Sequence, residues 1–138
     1  MTVIDMRAMR YINLLDRISR VKTRNCFMHN NTLFFAVNKK DVSRAIGIAA
    51  VNIRKIQEQI GKKVKIISEP AGVEDAGRFI DDIISPVHAK SIEIVDKTLL
   101  ITAGNMQTKA SLIGRDKRRL EELERIVKDF FGLDLRIV

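Results

Sequence analysis

The chain runs through one order of elements twice: helix, strand, strand, helix, loop, helix, strand. The two passes align position by position. Thr32 and Leu33 correspond to Thr98 and Leu99. Ile46 and Gly47 correspond to Ile113 and Gly114, and Ile53 to Leu120, at nearly the same spacing. Gly61 corresponds to Gly132 at a wider spacing, so the last helix of the second copy is expected to be about one turn longer. A duplicated α/β (α+β) unit explains this recurrence better than any single-copy fold. Glu69, Pro70, Ala71 and Gly72 interrupt both periodicities, which predicts domains over residues 1–70 and 71–138.

Local patterns fill in each copy. Ile4, Ala8, Tyr11, Leu15 and Ile18 recur at helical steps and predict a helix over residues 3–20, with Arg7, Arg10 and Arg17 on another side. Strands are expected over 26–29 and 32–37, joined by Asn30 and Asn31, which tolerate the positive φ of a tight hairpin turn. Asp41 is the expected cap of a short helix over 42–46. A loop then opens at Gly47, a second helix covers 51–60, and a strand follows Gly61 over 64–68. In the second copy the spacing of Ala76, Phe79, Ile80, Ile83 and Ile84 predicts a helix over 73–84, ended by Pro86. Strands over 91–95 and 97–102, helices over 106–113 and 117–131, and a last strand over 133–138 complete it.

Charge narrows the function. Of 138 residues 46% are apolar, enough for a core, and the formal charge is +8. It is lopsided: residues 1–70 hold 14 Lys/Arg against 5 Asp/Glu, and residues 71–138 hold 11 against 12. A basic first half points to nucleic acid or another anionic surface. A single cysteine, Cys26, excludes an internal disulfide and a cysteine-rich metal site. His29 and His88 are far apart, and each is expected at the surface or half-buried. No apolar run reaches membrane-spanning length, and Asp5, Arg7 and Arg10 interrupt any leader, so a cytoplasmic protein without membrane association is expected.

The candidate site is the first helix–loop–helix. A helix entered from small residues presents unpaired backbone N–H groups to an anion. Lys39, Lys40, Arg44, Arg54, Lys55, Lys62 and Lys63 flank that stretch, opposed only by Asp41 and Glu58. So many cations suggest a polymer of phosphates. The expected contacts are Lys39, Lys40, Arg44, Ile46, Gly47, Ile48, Ala49, Ala50, Asn52, Arg54 and Lys55, with an apolar groove beside Ile46, Ile48 and Ile53. The second loop offers Gly114, Arg115, Lys117 and Arg118 as secondary contacts. There Asp116 is expected to cap the long helix and occupy the N–H groups a phosphate would use. Catalysis, metal and cofactors are not expected. Asp81 and Asp82 point in different directions on one helix, Ser43, Ser85 and Ser111 have no histidine pattern, and there is no P-loop, zinc spacing or dinucleotide fingerprint. One Tyr, six Phe and no Trp argue against broad base-stacking platforms.

A glycine loop between two helices, in a small three-stranded unit, resembles the KH domain, whose G-x-x-G loop clamps single-stranded RNA by its backbone. A helix and hairpin placed before that core resembles the second, prokaryotic type. Two such units in tandem resemble the paired KH region of NusA transcription factors, and an isolated basic pair resembles the archaeal NusA-like proteins. The resemblance implies two type II KH domains, each a three-stranded sheet covered by helices. It further implies a non-catalytic, monomeric binder of single-stranded RNA acting in transcription termination or antitermination, with RNA polymerase as a further partner. Both signatures depart from the family. Ala50 stands where the first copy should have its second glycine, and Lys117 where the second copy should. Two alternatives stand beside this reading: a helix-turn-helix DNA binder over residues 41–61, and a KH scaffold for protein interaction that has lost RNA binding.

Overall fold

Asn30 and Asn31 both adopt positive φ (51° and 59°), which closes a two-residue hairpin between β1 (Asn25–His29) and β2 (Thr32–Val37). The architecture is that of a computed structural model of the chain, which describes residues 6–138. The hairpin pairs Phe27 with Phe34 and His29 with Thr32. On the other side of β2 lies β3 (Lys63–Ser68), running parallel to it, so the sheet order is β1-β2-β3.

Three helices cover one face of this sheet: α1 (Met6–Ser19), α2 (Val42–Ile46) and α3 (Val51–Ile60). Strand alternation sends Leu33, Phe35 and Val37 toward them, joined by Val64 and Ile66 of β3. Leu14 and Leu15 of α1, Ala45 of α2 and Ile56 of α3 complete the buried cluster. The opposite-pointing residues of β2 are buried as well: Phe34 is 1% exposed and stacks on Phe27 with centroids 5.4 Å apart. His29 shares that face and is 5% exposed, its ring tilted against Phe34. It is therefore deeper than the surface or half-buried position its polarity suggests.

Two helix ends differ from expectation. Residues 3–5, with Ile4, lie outside the described part. At its far end α1 stops at Ser19, because Ser19 Oγ donates to the Leu15 carbonyl (2.7 Å) and accepts from the Val21 amide (3.1 Å). Arg20 then turns left-handed, with φ 63°. Asp41 does not cap α2. A turn of 3-10 helix (Lys39–Asp41) starts earlier, so Asp41 already has helical torsions and Asn38 takes the cap, accepting from the Lys40 amide at 3.2 Å. Asp41 instead pairs with Arg44 at 3.2 Å.

The second copy repeats the order. Its sheet is β4 (Ser91–Val95), β5 (Thr98–Thr102) and β6 (Asp134–Ile137), with β4 antiparallel and β6 parallel to the central β5. The helices are α4 (Ala76–Ile84), α5 (Met106–Ile113) and α6 (Arg118–Phe131). Leu99 and Ile101 of β5, Leu112 of α5 and Leu123 and Val127 of α6 are buried. Phe79 of α4 is fully buried against Phe130, centroids 4.7 Å apart. At the start of α4, Arg78 bonds Asp75 and, at 2.8 Å, Asp82. The bond to Asp75 raises the guanidinium pKa more than burial lowers it, and Asp82 adds to the rise. Asn105 caps α5, accepting from the Thr108 amide at 2.7 Å, and stands at the position matched to Asn38 of the first copy. By contact density the chain divides into two units, one ending at Glu69 and the other beginning at Pro70.

Ile56 is the buried residue that anchors α3. Ile56→Ala should therefore cost about 2–5 kcal/mol in urea unfolding, while Ile94→Ala at the exposed edge should stay within about 1 kcal/mol.

Candidate nucleic-acid interface

In each copy the third strand lies parallel beside the second, and the chain returns between them through helix, loop and helix. That return places both candidate loops. Gly47 ends α2 with φ 80° and ψ 166°, and Gly114 ends α5 with φ 75° and ψ 175°. Soon after each come successive left-handed residues without glycine: Ala49 (φ 54°) and Ala50 (φ 60°) in the first loop, Asp116 (φ 56°) and Lys117 (φ 61°) in the second. The left-handed region costs an L-residue about 1–2 kcal/mol relative to right-handed helix. Both loops hold it twice in a row. Ala50 and Lys117, which stand where the resemblance would put a second glycine, both hold this left-handed torsion.

Both glycines that open the loops are needed for a second reason. Asn52 Nδ2 donates to the Arg44 carbonyl at 3.0 Å, tying the first turn of α3 to the last turn of α2. Arg119, at the matched position of the second copy, donates to the Ser111 carbonyl at 2.9 Å and ties α6 to α5 in the same way. A Cβ on Gly47 would lie 2.8 Å from the Asn52 amide, and one on Gly114 2.7 Å from Arg119 Cγ. Sequence reasoning missed this tie. The matched placement was its only signal, and Asn and Arg at equivalent positions do not look alike.

Neither helix entrance is capped by a side chain. The residue before α3 is Ala50 and the residue before α6 is Lys117, and no side-chain cap bond is made at either. The expected Asp116 cap is therefore corrected. Asp116 sits a residue too early and left-handed, so its carboxylate is not set over the first N–H groups of α6. The two loops are alike in backbone and differ in side chains.

The cations are less gathered than their spacing suggests. Lys62 and Lys63 lie past the far end of α3, about 15 Å from the loop at 1.5 Å per residue. Lys39 and Lys40 are exposed on the turn before α2, Arg44 is held by Asp41, and Lys55 is exposed on α3. Arg54, also on α3, folds back and donates to the Ala49 carbonyl. Ile48 stands 91% exposed at the loop tip. Ile46 and Ile53 are instead half-buried and packed on the core, so the expected groove does not form as a trough of three isoleucines. In the second loop Arg115, Lys117 and Arg118 are exposed. A cleft lined by Met9, Tyr11, Leu14, Arg17 and Ile60 lies toward the other end of α3.

Asp82 is bonded to Arg78, and Asp81 lies 3.9 Å from His88, so the two acids do not face one another. Among the described residues no group of three or more His, Cys, Asp or Glu is placed to hold a metal, and no helix is long and apolar enough to cross a membrane.

The loop geometry gives opposite signs at neighbouring positions. Gly47→Ala should lower stability by about 2–3 kcal/mol, through φ and loss of the Asn52 tie. Ala50→Gly should raise it by about 0.5–1 kcal/mol, because glycine relieves the left-handed strain and returns part of the gain as backbone entropy. Urea unfolding of the two variants checks both signs.

No protein-family model matches the chain. Over 120 residues it is 27% identical to the probable transcription termination protein NusA of Methanocaldococcus jannaschii, an alignment covering 85% of this chain and 64% of that protein. The chain thus spans just under two thirds of that relative's length. Over 129 residues it is 22% identical to the protein of the same name from Halococcus morrhuae, covering 92% and 91% of the two chains. Its fold matches the crystal structure of APE1850 with a TM-score of 0.66 at 22% identity, covering 98% of this chain and 100% of that one. Two full passes of one mixed α and β unit, joined to similarity along most of this chain, support a NusA-like archaeal protein.

Proposed function

We propose that the chain is a pair of type II KH domains, over residues 1–70 and 71–138, that binds single-stranded RNA without catalysis and acts in transcription termination or antitermination. One observation carries this reading: both copies bring a glycine-opened loop to a helix entrance that no side chain caps. The mixed three-stranded sheets with helix–loop–helix returns support the KH assignment. The name carried by both archaeal relatives supports the role in termination. The first loop is the main contact, through the backbone of Gly47, Ile48, Ala49 and Ala50, with Lys39, Lys40, Arg44 and Lys55 along the strand. The second loop adds Gly114, Arg115, Lys117 and Arg118. Asp116 puts a negative charge beside that entrance, which ranks it second. RNA polymerase is the protein partner this role requires, and the protein works as a cytoplasmic monomer.

Ala49→Asp is the sharpest test. Asp116 already occupies the matched position of the second loop with nearly the same torsions, so aspartate is compatible with the loop conformation. The variant should stay folded by circular dichroism and lose most affinity for a single-stranded RNA oligonucleotide in fluorescence anisotropy. Wild-type binding should weaken with salt, with a log–log slope of about 0.7 per phosphate neutralised. Unchanged affinity in Ala49→Asp, or preference for duplex DNA in direct competition, would overturn the proposal.

A further inference from the structure

We propose that Arg54 is a positioning residue, not a phosphate contact: its guanidinium holds the first loop in the conformation a second glycine would otherwise secure. The inference rests on the RNA-binding reading above and adds a role to that site. Two consecutive left-handed alanines leave the loop with a conformation that neither side chain favours. Alanine has no polar group with which to stabilise it, unlike asparagine or aspartate. Something outside the pair must hold it. Arg54, near the start of α3, reaches back along the chain and donates to the Ala49 carbonyl, the acceptor between the two strained positions. A charged donor makes this a stronger tie than a neutral one.

The placement has a further cause. A cation near a helix amino end opposes the macrodipole, and bonding a loop carbonyl gives that charge a local partner. Asn52 meanwhile secures the base of the loop to the Arg44 carbonyl. The two side chains, both from the start of α3, thus hold the loop at its base and at its tip. The second copy is an internal control. It keeps the base tie through Arg119, but Glu121 stands where the first copy has Arg54 and cannot donate to a carbonyl. The second loop has the same torsions without the brace, with Asp116, a residue type that tolerates them, where the first has Ala49.

The test uses the full chain and Arg54→Met, which keeps the aliphatic stem and removes the donors. Amide hydrogen exchange across Ile48–Ala50 should accelerate about tenfold, as expected for one lost charge-assisted bond. The global unfolding midpoint should fall only slightly, by no more than the same tenfold in the folding equilibrium. Affinity for a short mixed-sequence single-stranded RNA should fall several-fold with its salt slope unchanged. Ala50→Gly should then restore more binding in the R54M background than it adds with Arg54 in place. A slope reduced by about 0.7, with loop exchange unaltered, would make Arg54 a phosphate contact and overturn the proposal. If the wild-type chain binds no RNA, the KH reading fails alone. Loop exchange still decides the brace, which unchanged rates in R54M would reject.

Discussion

Parallel pairing of the third strand with the second is the constraint on which each half of this molecule depends. An antiparallel neighbour needs only a two-residue turn, whereas a parallel one obliges the chain to travel back along the sheet. Here residues 38–62 make that return in the first copy and residues 103–133 in the second. A single helix of that length would run well past the short strands it has to span. The return is therefore broken into two helices, and the break is the candidate binding loop. The site is where the crossover changes direction, and the central strands β2 and β5 fix where that happens.

Much of this architecture is legible in the amino-acid order. Asn30-Asn31, Gly47, Gly61, Gly114 and Gly132 punctuate the chain at positions where the backbone does turn left-handed or extended-positive. The boundaries of α2, α3 and α5 coincide with those read from periodicity, because each is flanked by glycine or by a strand pattern of period two. The misses are local competitions. Asp41 has the right chemistry for a cap, but Asn38 lies earlier in the chain and starts the turn first. Asp116 looks like a cap until its own φ is known, and no composition or spacing reports φ for an aspartate.

The side-chain roles were less legible than the backbone. Counting cations around the first loop treats Arg44, Arg54, Lys62 and Lys63 as equivalent. Geometry separates them: one is paired with an acid, one bonds a carbonyl, and two lie at the far end of a helix. Isoleucine is equally ambiguous in one dimension. Ile48 is in solvent while Ile46, just before Gly47, rests on the core. Helical phase distinguishes them only when the helix end between them is known to within a residue.

Ala50 and Lys117 share a torsion and nothing else in their chemistry. What the two halves of this chain have in common at that corner is a shape with no fixed spelling. A description of the fold written in letters would require glycine there and pass over this molecule. One written in dihedral angles would recognise it twice.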